Sequence, residues 1–118
     1  MAEQTQSGMN EMFDLLRHPY RRYVLYHLTH ESETVDFGTL AASLANWDAG
    51  HPEESRNTSS ATVEMQLRHM HLPKLADAGL ITFAQESQSI ELDGINGHSQ
   101  FIDQAARIDG YALPAAGE

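Results

Sequence analysis

Cysteine is absent from the 118 residues, and lysine occurs once, as Lys74. Without thiols the chain has no disulfide framework, no thiolate zinc site and no cysteine nucleophile. No apolar run reaches the roughly 18 residues that a membrane span needs. Met1 to Asn10 is polar and lacks the basic-then-apolar order of a secretory leader, so a cytoplasmic protein without membrane association is expected. There is no Gly-rich phosphate loop, no Gly-x-Ser-x-Gly elbow and no His-Glu-x-x-His pair. Asp36, Asp48, Glu53 and Glu54 stand in turn and loop sequence with no base or nucleophile fixed nearby, and read as solvated charge. The chain is expected to catalyse nothing and to hold no cofactor.

Positive charge is also scarce. Seventeen acidic residues face seven Lys plus Arg, for a net charge of −10. A carboxylate-rich, lysine-poor surface is what a salt-saturated cytoplasm favours, because carboxylates hold water and aid solubility. A halophilic source is the expectation; an ordinary acidic protein with a charged partner is the alternative. In either case the net charge opposes nucleic acid at low salt. Histidine is comparatively abundant, with seven copies. His27 and His30 share a helix face only if the helix runs past Thr29, while His69 and His71 point in different directions on a helix. No metal site is expected from such spacing.

What remains is a small chain with periodic apolar residues. Residues 1–8 look frayed. Residues 9–17 read as helix, with Met9, Phe13 and Leu16 at i, i+4, i+7 and Met12 and Leu15 beside them. Pro19 demands a break at His18 and opens a second helix to about Thr29, with Tyr20, Val24, Leu25 and Leu28 as its apolar stripe. Thr34 to Asp36 suits a very short strand, and Asp36 can cap a helix from Phe37 to about Asn46 that buries Phe37, Leu40, Ala41 and Leu44. Residues 48–57 read as a loop. A long helix follows from about Ser59 to Ala78, with Val63, Leu67 and Met70 on one face and a kink near His71–Leu72 forced by Pro73. Gly79 ends it, and 80–84 and 88–92 alternate as two strands of a hairpin. Phe101, Ile102, Ala105 and Ile108 suggest a short terminal helix before a disordered tail.

The order predicts an α+β fold: a tri-helical core with a β-hairpin wing, plus a short C-terminal helix. The expected organisation is a flexible N-terminus over 1–8, one domain over 9–92, and a C-terminal segment over 93–118.

At this level the residues resemble a family. Leu15-Leu16-Arg17-His18-Pro19-Tyr20-Arg21-Arg22 followed by an apolar heptad resembles the first helix of ArsR-like winged-helix repressors. Val35 to Ala41 looks like their strand leading into the helix-turn-helix, and Leu72 to Ile81 like the recognition helix running into the wing. More closely, about 11–92 is similar to an uncharacterised winged-helix domain family common in haloarchaea, whose members share His-Leu-Pro-Lys-Leu, here at 71–75. The loop at 48–57 is longer than in ArsR-like proteins, the wing tip 85–88 has no base, and metal-sensing cysteines are missing.

The resemblance implies a winged helix-turn-helix regulator that binds double-stranded DNA through the helix from about Ser59, whose N-terminal part would enter the major groove. Ser59, Thr62, Gln66 and His69 lie at roughly helical spacing, away from the apolar face. Gln66 can pair with adenine edges, the hydroxyls of Ser59, Ser60 and Thr62 can reach phosphates, and Arg56 and Arg68 can add phosphate contacts. The plainer alternative is the solvated side of an amphipathic helix. Arg21 and Arg22 can touch the DNA backbone, but in a first helix they more often cap or pack. The terminal helix at 98–108 must pack back or pair with a second copy, and a homodimer is expected. A winged helix used as a protein-interaction module is the competing reading; convergence of Arg21, Arg22, Arg56 and Arg68 would favour DNA.

Overall fold

The computed structural model describes residues 10–49, 60–95 and 99–111. Helix α1 covers 10–16 and ends in a turn at Arg17 and His18. Pro19 dictates that break, because it brings no N–H and its fixed φ suits a first helical turn. Helix α2 (Pro19–His30) starts there, with His18 extended as its cap and the His18 Nδ1 accepting the Tyr20 N–H at 3.1 Å.

The carbonyls left open at the end of α1 are taken by two side chains of α2. Arg21 donates from Nε to the Leu15 carbonyl at 2.8 Å and from Nη2 to that of Asp14 at 3.0 Å. Arg22 donates from Nη1 to the Leu16 carbonyl at 2.8 Å. This clasp sets how α1 lies on the core. Met12 and Leu15 are buried, Leu16 is half-buried, and Phe13 stays 54% exposed. The expected stripe through Phe13 and Leu16 is therefore displaced onto its neighbours, because docking against α2, not the helix's own pattern, selects the face of so short a helix. Met9 lies outside the described residues.

Strand β1 (Thr34–Asp36) leads into α3 (Phe37–Ala49). Asp36 caps α3 as expected: Oδ2 accepts the Thr39 N–H at 3.0 Å and Oδ1 accepts the Thr39 hydroxyl at 2.7 Å. Phe37, Leu40, Ala41 and Leu44 are all buried. The helix runs past Asn46 to Ala49, since nothing before Gly50 breaks it. Asp48 thus belongs to α3 and is only 5% exposed, which corrects its reading as a solvated loop charge.

Helix α4 (Ser60–Gln66), a π-helical stretch (Leu67–His71) and α5 (Leu72–Asp77) run on as one rod. The cause of the π stretch is Pro73, which gives no N–H to the preceding turn and whose ring crowds the carbonyl there. The helix widens instead, and the Leu72 N–H bonds the Leu67 carbonyl. The distortion falls in the turn before the expected kink. Gly79 closes the rod at φ +82°, with the Gly79 N–H on the Ala76 carbonyl at 2.9 Å and the Leu80 N–H on that of Leu75 at 3.1 Å. These two bonds are a Schellman cap.

Strands β2 (Ile81–Ala84) and β3 (Ser89–Leu92) form the hairpin. β1 joins it, giving a three-stranded antiparallel sheet in the order β1-β3-β2, with Val35 and Phe83 both opposite Ile90. Helix α6 (Ser99–Asp109) packs back on α2. It buries Ile102 and Ala106, whereas Phe101 is 39% and Ile108 83% exposed. Its inward face is thus one step round from Phe101–Ala105–Ile108, with Ala105 half-buried on the edge. The core lies between α2, α3, the rod and the sheet, on Val24, Leu25, Leu28, Leu40, Leu44, Leu67, Leu75 and Ile90. The architecture is a mixed α+β one, and no helix among the described residues is long and apolar enough to cross a membrane.

Candidate functional site

The outer face of the 60–77 rod is the surface on which the sequence-derived site falls. Ser60, Ala61, Glu64, Met65, His69, Met70, Pro73 and Lys74 are exposed; Thr62, Gln66 and Arg68 are half-buried. Ser60 and His69 are therefore open to a partner, and Thr62 and Gln66 stand at the margin. Arg56 and Ser59 lie outside the described residues. The inward side is Val63, Leu67, His71, Leu72 and Leu75. Met70, expected to bury beside Val63 and Leu67, is 55% exposed. The π turn explains this: one extra residue per turn rotates Met70 outward and brings His71 into the position it would have filled. Met65 is equally exposed, so the outer face is methionine-bearing as well as polar.

Arg68 is not a free cation. Its guanidinium lies 4.2 Å from the centre of the Phe37 ring and 5.9 Å from that of Phe83, and Nη2 donates to Gln88 Oε1 at 2.9 Å. Gln88 occupies the left-handed region at φ +57°, and its amide nitrogen donates to the Gln85 carbonyl at 2.6 Å. The Gln88 carbonyl accepts the Phe37 N–H at 2.8 Å. One residue of the hairpin turn thus holds both the start of α3 and the arginine of the rod, and this fixes the hairpin beside the helix.

Arg21 and Arg22 face inward. Besides clasping α1, Arg21 Nη1 lies 3.2 Å from His71 Nδ1. Arg22 forms a two-pronged pair with Asp109, Nε to Oδ2 at 2.7 Å and Nη2 to Oδ1 at 3.2 Å. The Tyr26 hydroxyl donates to the same carboxylate, and burial, followed by that bond, pushes the Tyr26 phenol well above its ordinary range. Capping and packing, the alternative weighed for these two arginines, is what they do, and they form no basic patch with Arg68. Lys74 reaches Asp14 at 3.1 Å and holds that carboxyl below the usual range.

Spacing gave no warning of His71. It is fully buried, with the His18 ring 4.2 Å and the Tyr20 ring 5.7 Å away. With the guanidinium donating to Nδ1, the ring proton is assigned to Nε2. Burial, then the neighbouring His18 and Arg21 charges, pushes His71 down to about 3, so it is neutral at physiological pH. The signal that could have found it is the proline two residues on, since the widened turn is what turns His71 inward. α2 does run past Thr29, but His30 Nε2 is turned towards α6, 3.0 Å from Asp103 Oδ1. Among the described residues no three His, Asp or Glu side chains are grouped to hold a metal ion.

Residues 13–91 match the family model of a domain of unknown function, DUF7344. The chain belongs to that family. The match begins within α1 and ends in β3, so it spans the helices, the rod and the sheet and stops short of α6. No curated protein and no solved structure matches the chain significantly.

Proposed function

We propose that this DUF7344 domain is a winged helix-turn-helix regulator of a halophilic cytoplasm, distantly ArsR-like, that binds double-stranded DNA through the outer face of α4 and catalyses nothing. The observation that carries the reading is the sheet order β1-β3-β2, which braces a hairpin against a helix whose N-terminal turns point outward. A short strand before α3, a helix pair α3 and α4, and a hairpin tied to the rod by Arg68 and Gln88 are the parts such a reader needs. Ser60, Thr62, Gln66 and His69 are the contacts proposed for groove and phosphate, with Ser59 and Arg56 upstream. α4 carries no base, so the affinity must rest on base edges and shape more than on phosphate neutralisation. In molar salt that is the smaller loss, because counterion release contributes little there.

The test is fluorescence anisotropy on a duplex library at molar potassium. The reading expects selected fragments to bind above random duplex, and Gln66→Ala with His69→Ala to weaken them at least about tenfold. Absence of any fragment bound above background overturns it.

Met65 and Met70, each 55% exposed, with Glu64 on the same face, favour a second reading: a protein-interaction module. A photo-crosslinking residue at position 65 separates the two in cells, by protein adducts or by DNA adducts. A homodimer belongs to the first reading. Phe13, Phe101 and Ile108 remain on the outside of α1 and α6, where a second copy would sit. Sedimentation in molar salt that finds only monomer at high micromolar concentration removes it.

A further inference from the structure

Beside α2, three aromatic rings from three elements meet. Tyr23 comes from the middle of α2 and Trp47 from the last turns of α3. Tyr111 arrives by a second Schellman cap: Gly110 has φ +78°, its N–H bonds the Arg107 carbonyl at 3.1 Å, and the Tyr111 N–H bonds that of Ala106 at 2.8 Å. That cap folds Tyr111 back towards α2. The Tyr23 ring is 5.3 Å from Trp47, tilted by 37°, and 5.6 Å from Tyr111 at a steep 69°. Beside the rings opens a cavity of about 340 Å³, also lined by Glu31, Ser43 and Asn46.

The groups around it are fixed in place. The Tyr111 hydroxyl donates to Glu31 Oε2 at 2.8 Å. Among the described residues the one formal charge that lines the cavity is negative, and Ser43 and Asn46 add neutral polar groups beside it. Aromatic faces carry negative potential, Glu31 is a carboxylate, and among the described residues no Lys or Arg contributes to the wall. An anion is repelled there, and a neutral apolar molecule gains nothing from the carboxylate. A small metal cation needs several oxygen ligands and sheds water reluctantly. A bulky, weakly hydrated cation suits both the faces and the carboxylate, and the volume is within the range of small-ligand sites, about 300–1,000 Å³.

We propose that this pocket binds a small organic cation with an alkylated ammonium head, seated on the Tyr23, Trp47 and Tyr111 rings with Glu31 at its edge. The site lies apart from the face proposed for DNA and stands or falls independently of that reading. Its occupant would pin the end of α3 to α2 and to the turn after α6.

Trp47 is the sole tryptophan, so intrinsic emission reads the pocket directly. The probe is choline, titrated against sodium at constant chloride and ionic strength, with the neutral alcohol in which carbon replaces the choline nitrogen as control. A saturable change in emission is expected with choline, and at least about tenfold weaker binding of the alcohol. Glu31→Gln keeps an acceptor for Tyr111 and is expected to weaken choline about threefold or more. Tyr111→Phe keeps the ring and is expected to bind within about twofold of the parent, whereas Tyr111→Leu loses about tenfold. No saturable change with choline, or equal binding of the neutral alcohol, overturns the proposal. If Tyr111→Leu fails to fold by circular dichroism, Glu31→Gln and the alcohol decide: unchanged affinity in the first or equal affinity for the second overturns it.

Discussion

Helix α2 and helix α4 do opposite things. Seven residues of α2 are buried, from Tyr20 to Leu28, whereas in α4 only Val63 is. The polar groups of α2 are committed to partners: Arg21 to the carbonyls of α1, Arg22 and Tyr26 to Asp109 of α6. The outer groups of α4 face solvent. The contrast teaches where cations go in an acidic protein. Two of the scarce arginines sit inside, holding helices together, and the outer face of α4 is left to hydroxyls, amides, a carboxylate and methionine.

The sharpest way to break the contrast is at Asp109. The pair with Arg22 is 18% and 10% exposed, so Asp109→Ala leaves a guanidinium and a phenol in poor solvent. A loss of about 3–5 kcal/mol is expected in chemical denaturation at molar salt. Asp109→Asn, which keeps acceptor and shape, should lose less.

The second largest effect is in pH. Folded His71 sits at about 3, while the unfolded chain takes up its proton near the ordinary value of 6.5. The unfolded state therefore binds more protons below that value, so stability is greatest above pH 6.5 and falls as pH drops towards 3. The slope is about 1.4 kcal/mol per pH unit, or about 2 kcal/mol between pH 6.5 and 5. His27, lowered by burial, acts in the same direction. Asp14 and Asp36, also lowered, lose their contributions only below the usual carboxylate range, so the window between belongs to the histidines. Denaturation of His71→Leu against pH should show a flatter slope.

Arg68→Ala tests the link between the rod and the hairpin. The lost ring and amide contacts are expected to cost about 1 kcal/mol, with faster amide exchange in β2 and β3 than elsewhere. The smallest effect is expected at Met65→Gln, less than about 0.5 kcal/mol, because the side chain is 55% exposed. A large loss there would erase the distinction between the two helices.

Much of the frame is legible in the sequence. Pro19, Asp36, Pro73 and Gly79 each force a local geometry whatever surrounds them, and the break, both caps and the distortion they imply are present. Facing was less legible. Phe13 and Met70 fit an apolar stripe by spacing, yet both point outward, because the arginine clasp sets α1 and the π turn resets the rod. The pairing of β1 with the hairpin joins residues far apart in the chain, which no local pattern encodes. Among the candidate contacts, Ser60 and His69 were legible as exposed, but Arg68 was not legible as held, since its partners Phe37 and Gln88 come from separate segments. Gly110 carried the signal for the turn that places Tyr111, as Gly79 did for the hairpin.

The bond between Lys74 and Asp14 links α5 to α1. Since Lys74 is the chain's sole lysine, an acylating dye finds one side-chain amine, and it finds it engaged at that seam. Labelling speed at Lys74 accordingly reports how often its bond to Asp14 is open, readable by mass spectrometry without altering a residue.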